Sequence, residues 1–361
     1  MVKLRSPFAL ALLALFPVPV LVGLAGACKP NLNETVSLIT EPQVLAIQAT
    51  PAEGAPSSSA TFTALVVDPN GPVTSAQLAW EFCDDRNPLA NLGPVNPTCL
   101  QPDDPGLVPI GPGPQVTGTI PAIACRQFGP DVPQVMGNAT PGRPVDPDST
   151  GGYYQPVSLF VTADSTTFAS LYSSRISCGL AEGTSDETSE YLGQYHLNAN
   201  PSVASLSILG GGDGGMTALA TDTGGTVNPV PAGQHLQLEV AWPPCPLVDV
   251  CGDHVCGPDE SITTCPADCT TPVGCPGAER YLNFDLGSES LVDVREGINV
   301  AWFATAGSFD NDRTGNVGTD LATTSDNGWT APPSGTSVHM WVVLRDDRGG
   351  VAWAGYALQA Q

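Results

Sequence analysis

Apolar and polar residues alternate with a period of two along much of this chain, the spacing of strands that bury one face. Val44–Ala49, Ala60–Val67 and Gln77–Cys83 carry the pattern first, with a turn at Asp68-Pro69-Asn70-Gly71 between the last two. In the third of these Leu78, Trp80 and Phe82 share a face, so Trp80 is expected in the core of a small sandwich. From Asp84 to Thr150 proline breaks the rhythm, and helix is excluded there. A structureless run of that length in a compact domain is pinned or functional, and Cys83, Cys99 and Cys125 lie in or beside it. Val157–Val161 and Phe168–Cys178 are expected to return to the first sheet.

Residues from about Tyr195 to Ser205 read as an interdomain connection, after which a second β pattern begins. Leu236, Leu238, Val240 and Trp242 share one face, as do Ile298, Val300 and Trp302, and as do Val338, Met340, Val342 and Leu344. A polar turn over 345–350 leads into a last strand, Val351–Gln359. With 39 Gly, 36 Pro and only 13% charged residues, the composition suits short strands and many turns. The expected fold class is all-β: two immunoglobulin-like β-sandwich domains with a disulfide-rich insertion. The first spans 43–200 with a proline-rich insertion over 84–150; the second spans 201–361 with a cysteine-rich insertion over 245–275.

The amino terminus follows different rules. Lys3 and Arg5 precede an uncharged stretch, Ser6–Ala27, whose apolar block is cut short by Pro17 and Pro19, the order of a signal peptide rather than of a spanning helix. Its end, Leu24-Ala25-Gly26-Ala27-Cys28, resembles a bacterial lipobox, with Ala25 where leucine is usual. The resemblance implies cleavage of residues 1–27, a diacylated Cys28 at the mature terminus, a palmitate-bearing lipid anchor in the membrane, and a tether over 28–42. Lys29 rather than Asp after that cysteine favours the outer membrane, with the domains facing the periplasm or the cell surface.

The chain carries a net charge of −24, and loss of the leader, which holds basic but no acidic residues, makes it more negative. Such a surface repels nucleic acid and anionic headgroups, so neither is expected as a partner. An envelope protein or surface ligand remains as the partner class.

Beside Cys28 stand ten cysteines, Cys83, Cys99, Cys125, Cys178, Cys245, Cys251, Cys256, Cys265, Cys269 and Cys275, an even number in an exported chain and hence five expected disulfides. Their connectivity is open at this level; a working assignment pairs Cys83 with Cys99 and Cys125 with Cys178. The gaps within Cys245–Cys275 lack the two-residue spacing of zinc sites. Calcium is the better metal for this loop, because Asp253, Asp259, Glu260 and Asp268 are hard oxygen donors crowded into it, although they lack EF-hand spacing. Asp310, Asp312, Asp320 and Asp326 form a second acidic group with weaker claims. No other cofactor is expected.

Cys251-Gly252-Asp253-His254-Val255-Cys256-Gly257-Pro258-Asp259-Glu260, followed by Cys265-Pro266-Ala267-Asp268-Cys269, resembles a small cysteine-rich module of bacterial extracellular proteins, with His254 and Asp259 where that module usually has Gly. Ala301-Trp302-Phe303-Ala304, Trp329-Thr330-Ala331-Pro332 and Trp341-Val342-Val343-Leu344-Arg345-Asp346 are similar to bacterial immunoglobulin-like domains of the PKD type. That resemblance implies a Greek-key sandwich and little about ligand.

The chain has neither a Gly-x-Ser-x-Gly elbow nor a His-Glu-x-x-His helix, and His196, His235, His254 and His339 are scattered. Gly210–Gly215 lacks the basic residue and helix of a phosphate loop. The expectation is therefore a non-catalytic cell-envelope lipoprotein, a binding or structural scaffold and not an enzyme, with a calcium-dependent surface adhesin as the alternative and an envelope hydrolase as a second alternative.

Overall fold

The computed structural model describes residues 36–86, 95–129, 149–163, 166–180, 184–211, 215–223, 225–270, 274–285 and 287–361. Cys28 and the leader lie outside the described residues. Among the described residues no helix is long and apolar enough to cross a membrane.

The fold is all-β. The first nine strands are β1 (Gln43–Thr50), β2 (Glu53–Gly54), β3 (Ser59–Asp68), β4 (Gly71–Pro72), β5 (Gln77–Cys83), β6 (Leu107–Pro112), β7 (Gln115–Thr119), β8 (Tyr153–Ala163) and β9 (Thr166–Ile176). One sheet runs β1-β3-β4 with β7 on β3, and the facing sheet runs β2-β9-β8-β5-β6. Alternation on β5 turns Leu78, Trp80 and Phe82 inward. Phe62 of β3 meets them across the sandwich, with ring centroids 6.2 Å from Trp80 and 5.8 Å from Phe82. The Trp80 indole is buried and donates to Gly113 O at 2.8 Å, so its polar atom carries no desolvation cost.

The proline-rich stretch is more ordered than expected. Its described part contains β6 and β7, a hairpin that adds an edge strand to each sheet, β6 to β5 and β7 to β3. Pro109 and Pro112 are tolerated in β6 because an edge strand leaves its outer N–H positions unpaired, and Pro114 lies in the turn between β6 and β7. Disulfides Cys83–Cys99 and Cys125–Cys178 fasten the stretch at its start and within the short helix α1 (Ala124–Phe128), which forms in a proline-free run where no helix was expected.

A second helix, α2 (Ser185–Gln194), follows β9 and opens with a capping box in which Thr184 and Glu187 exchange hydrogen bonds. The next strands are β10 (Ser205–Gly211), β11 (Gly215–Ala218), β12 (Val227–Val230) and β13 (His235–Ala241), then β14 (Arg280–Asp285) and β15 (Ser290–Arg295). The last are β16 (Ile298–Ala304), β17 (Ser308–Phe309), β18 (Arg313–Asn316), β19 (Thr324–Thr330), β20 (Ser337–Asp346) and β21 (Val351–Ala360). Sheets β11-β10-β13-β19-β17 and β12-β21-β20-β16-β18 make the second sandwich, while β14 and β15 pair only with each other. Its core holds Leu236, Leu238, Val240, Trp242, Ile298, Val300, Trp302, Val338, Met340, Val342 and Leu344, the alternating sets of the sequence.

The outer face of the β20 sheet is buried too, which alternation alone does not foresee. Ala301, Trp341, Val343 and Val351 belong to the core cluster of the first sandwich, packed with Leu45, Ile47 and Ala49 of β1. A sheet covered on both faces has a continuous apolar run, and this is why Met340-Trp341-Val342-Val343-Leu344 has no polar break.

The expected tether is partly structural. Beyond Ala301 the edge of β16 is left open by β18, and Leu38 bridges to Ala304 there, in parallel. Ile39 N donates to Ala304 O and Ala304 N to Ser37 O, both at 2.9 Å, and Ile39 is buried. Ser37–Ile39 thus docks on the second sandwich before the chain enters the first.

Candidate functional site

Three features outside the sandwich cores could carry function. The cysteine-rich segment is stapled by Cys245–Cys275, Cys251–Cys265 and Cys256–Cys269, around the short helix α3 (Pro266–Cys269). Three of its four candidate acids are committed to the backbone. Asp268 accepts from Gly252 N and His254 N, Glu260 accepts from Gly257 N at 3.2 Å, and Asp253 accepts from Val255 N at 2.9 Å. Asp259 is exposed and stands 3.7 Å from Arg280. Of the four acids proposed as calcium ligands, only Glu260 and Asp268 come together, and the other donors beside them, Cys251 and Cys265, are joined in a disulfide. The arrangement fits turn capping better than a calcium cage, which takes six to eight converging oxygens. In the second acidic group Asp310 meets His235 at 3.0 Å on the surface, Asp312 bonds Ser37, and Asp320 caps Ala322 N at 2.9 Å.

The second feature is a buried ionic hub where the two sandwiches, the connection and the cysteine-rich segment meet. Arg348, in the β20–β21 turn, is 1% exposed. Its Nε donates to Glu296 at 2.6 Å, Nη2 to Glu279 and Nη1 to His196 O at 3.1 Å, and the guanidinium lies 4.4 Å from the Tyr281 ring centroid. Glu279 further accepts from Ala199 N and Cys275 N, and Glu296 from Glu279 N. Across the interface Arg175 of β9 pairs with Glu53 of β2 at 3.3 Å, and that carboxylate also accepts from Tyr195 Oη at 2.7 Å and Asn198 N at 3.1 Å. Asp346 accepts from Asn198 Nδ2 and Gly350 N, leaving its Oδ2 buried with no partner.

Burial pushes the carboxyls of Glu279, Glu296 and Asp346 above their usual range, with Arg348 opposing it. Desolvation alone would lower Arg348, but Glu296 and Glu279 outweigh it and hold the guanidinium well above its ordinary value. The expected connection from Tyr195 is therefore an anchored joint rather than a free hinge. His196 is part of it, its Nε2 3.0 Å from Gly257 O, and burial lowers its pKa.

The third feature is a cleft of about 630 Å³ where β1, β3 and β4 of the first sandwich stop covering the outer face of β20 and β21. Trp341, Trp353, Gly355, His339, Asp222 and Gln48 line it. His339 stacks on Trp341 with centroids 6.0 Å apart, and its Nδ1 is 3.9 Å from Asp222 Oδ2. Thr305 Oγ1 accepts from the His339 backbone N–H at 3.0 Å.

Sequence reasoning missed the hub and the cleft. Residues 53, 175, 279 and 296 are far in the chain from one another and from 346 and 348, and Arg348 sits in a stretch that reads as a solvated turn. One local signal was present, the Thr-x-x-Glu capping box of α2.

No family model matches the chain, and no curated protein matches it. Solved structures with similarity include a chimeric titin Z1Z2 carrying a peptide from decorin, 13% identical over 90% of this chain and 98% of that one, at a TM-score of 0.16. The Yersinia pseudotuberculosis adhesin InvE is 11% identical over 88% of this chain and 58% of its own length, at 0.19. Three N-terminal domains of the outer capsid protein Hoc of bacteriophage RB49 are 9% identical over 89% of this chain and 71% of that one, also at 0.19. At such TM-scores the likenesses carry no argument about function.

Proposed function

We propose that this chain is a lipid-anchored, non-catalytic protein of the cell envelope, whose two sandwiches form a rigid platform for binding or scaffolding. The observation that supports it best is the joint itself. An apolar interface and an ionic hub together fix the orientation of the domains, which suits presentation of a surface and not hinge closure over a substrate. The lipobox-like Leu24–Cys28 supplies the anchor in this reading, and the docking of Ser37–Ile39 on β16 leaves only a short stretch between lipid and body.

Membrane fractionation and protease shaving of cells expressing the wild type and Cys28→Ala test this. The wild type is expected in the membrane fraction and the variant in the soluble one, with shaving showing which side the domains face. A variant that fractionates with the wild type removes the lipid anchor from the reading.

A further inference from the structure

The interdomain cleft contains polar groups that the protein leaves unused. Trp341 is 98% buried, yet its indole N–H donates to no acceptor among the described residues and is not sealed from solvent, since it is not among the buried unpaired atoms. Gly355, opposite it on β21, makes this possible: a Cβ there would come within 3.1 Å of Trp341 Nε1 and Cδ1. Asp222, held over the same strand by its N–H bond to Gly355 O at 2.9 Å, directs a carboxylate that accepts no hydrogen bond among the described residues, where its one charged neighbour is His339 at 3.9 Å. Beside them Trp353 offers a half-buried indole.

These groups constrain a ligand. Indole N–H is donor only and carboxylate acceptor only, so a ligand meeting both needs acceptors and donors close together, as neighbouring hydroxyls provide. The electron-rich indole face of Trp353 attracts weakly positive C–H edges. No Lys or Arg lines the cleft, and the chain is strongly acidic, which disfavours anions. Hydroxyls on one edge and a C–H face on the other describe a pyranose ring. A volume of about 630 Å³ falls in the usual range for small-ligand sites, and its open form admits a chain of sugars.

We propose that this cleft is a binding site for a neutral glycan, with a pyranose stacked on Trp353, a hydroxyl accepting from Trp341 Nε1 and another donating to Asp222. This names the ligand class for the binding role proposed above and rests on that role, while the membrane anchoring is tested separately by Cys28→Ala.

The test uses the full chain in detergent, titrated with hexasaccharides of glucose, mannose, galactose and N-acetylglucosamine and, as a cationic probe, tetramethylammonium, with tryptophan fluorescence and saturation-transfer NMR as readouts. At least one saccharide is expected to bind with a Kd below about 1 mM, and Trp353→Ala and Asp222→Asn are each expected to weaken it about tenfold or more. Asp222→Asn keeps the shape of the site, and an unchanged melting temperature separates lost binding from lost folding. The proposal is overturned if no saccharide binds at about 10 mM, if saccharide binding ignores both substitutions, or if tetramethylammonium alone binds. Any of these outcomes beside a membrane-bound wild type and a released Cys28→Ala sinks the glycan site and leaves the anchored scaffold standing.

Discussion

The interface between the two sandwiches is held by different physics in its two halves. In one, Leu45, Ile47 and Ala49 pack on Ala301, Trp341, Val343 and Val351, and the one charged side chain that joins them, Arg345, donates to Leu45 O at 2.8 Å. In the other, two guanidiniums and four carboxyls, those of Arg175, Arg348, Glu53, Glu279, Glu296 and Asp346, are shut away from water together. The apolar half gains roughly 1.5–3 kcal/mol per large buried side chain and tolerates small shifts of geometry. The ionic half gains little net stability, because desolvation offsets attraction, but it accepts only one arrangement of its partners. Adhesion and specificity are thus divided between neighbouring patches of one joint.

Removing Arg348 separates the two halves most clearly. Arg348→Met leaves Glu279 and Glu296 buried without their cation and is expected to cost about 3–5 kcal/mol in denaturant unfolding. The triple variant Arg348→Met, Glu279→Gln, Glu296→Gln removes the charges together and is expected to recover much of that loss. If the single variant costs less than about 1 kcal/mol, the hub is solvated in practice and the contrast fails.

In the apolar half Val343→Ala deletes two buried methyl groups and should cost about 2–3 kcal/mol through lost burial and the cavity left behind. The loss should be the same at low and high salt and at pH 5 and pH 8. A salt-dependent loss would mean that the two patches are energetically coupled and not merely adjacent.

The cores of the two sandwiches were largely legible in the sequence: the inward sets from Leu78 to Phe82, Leu236 to Trp242 and Val338 to Leu344 follow from alternation. The apolar half of the joint was not, because alternation assigns only the inward face of β20 and leaves Trp341 and Val343 without a partner. The ionic half was not legible, because no local pattern distinguishes a buried Arg-Gly-Gly turn from an exposed one. Arg348 is buried only because β2, β9, the 195–200 connection and the β14–β15 hairpin converge on it, and that convergence is tertiary. The cleft was hidden for the same reason: no local pattern shows that Gly355 on the paired strand leaves the Trp341 N–H open. The acids proposed for calcium were visible, but their spacing could not reveal that backbone amides bond the carboxylates of Asp253, Glu260 and Asp268.

Proton linkage reads the ionic half alone. Glu279, Glu296 and Asp346 have folded pKa values raised above their ordinary 4.5, 4.5 and 3.8, so the folded state favours their protonated forms. Stability from such groups is full below the unfolded pKa and is lost as pH rises through the raised folded value. The melting temperature is therefore expected to fall as pH rises above the ordinary carboxyl range of about 4–5, opposite to ordinary acid denaturation. Asp346→Asn, which keeps the bonds to Asn198 and Gly350 and removes the charge at the unpartnered Oδ2, should flatten that slope while Val343→Ala leaves it intact. A flat profile in the wild type would show that the carboxyls ionise without penalty.

The smallest expected effect concerns the cysteine-rich segment that closes the ionic half. His254 adopts φ +71°, a left-handed conformation that costs a side chain roughly 1–2 kcal/mol, and it is exposed with no packing to lose. Glycine removes that strain, at about 0.5–1 kcal/mol of added unfolded-state entropy, so His254→Gly should stabilise the protein by roughly 0.5–1 kcal/mol. Asp259, the other departure from the module's usual glycines, is not left-handed and stands beside Arg280, so Asp259→Gly should bring no gain. Because His196 Nε2 lies against Gly257 O, a firmer segment should also slow hydrogen exchange around 195–200 and leave the apolar half unchanged. Equal protection of both halves would show that the joint opens as one unit, and the division between them would then be structural without being energetic.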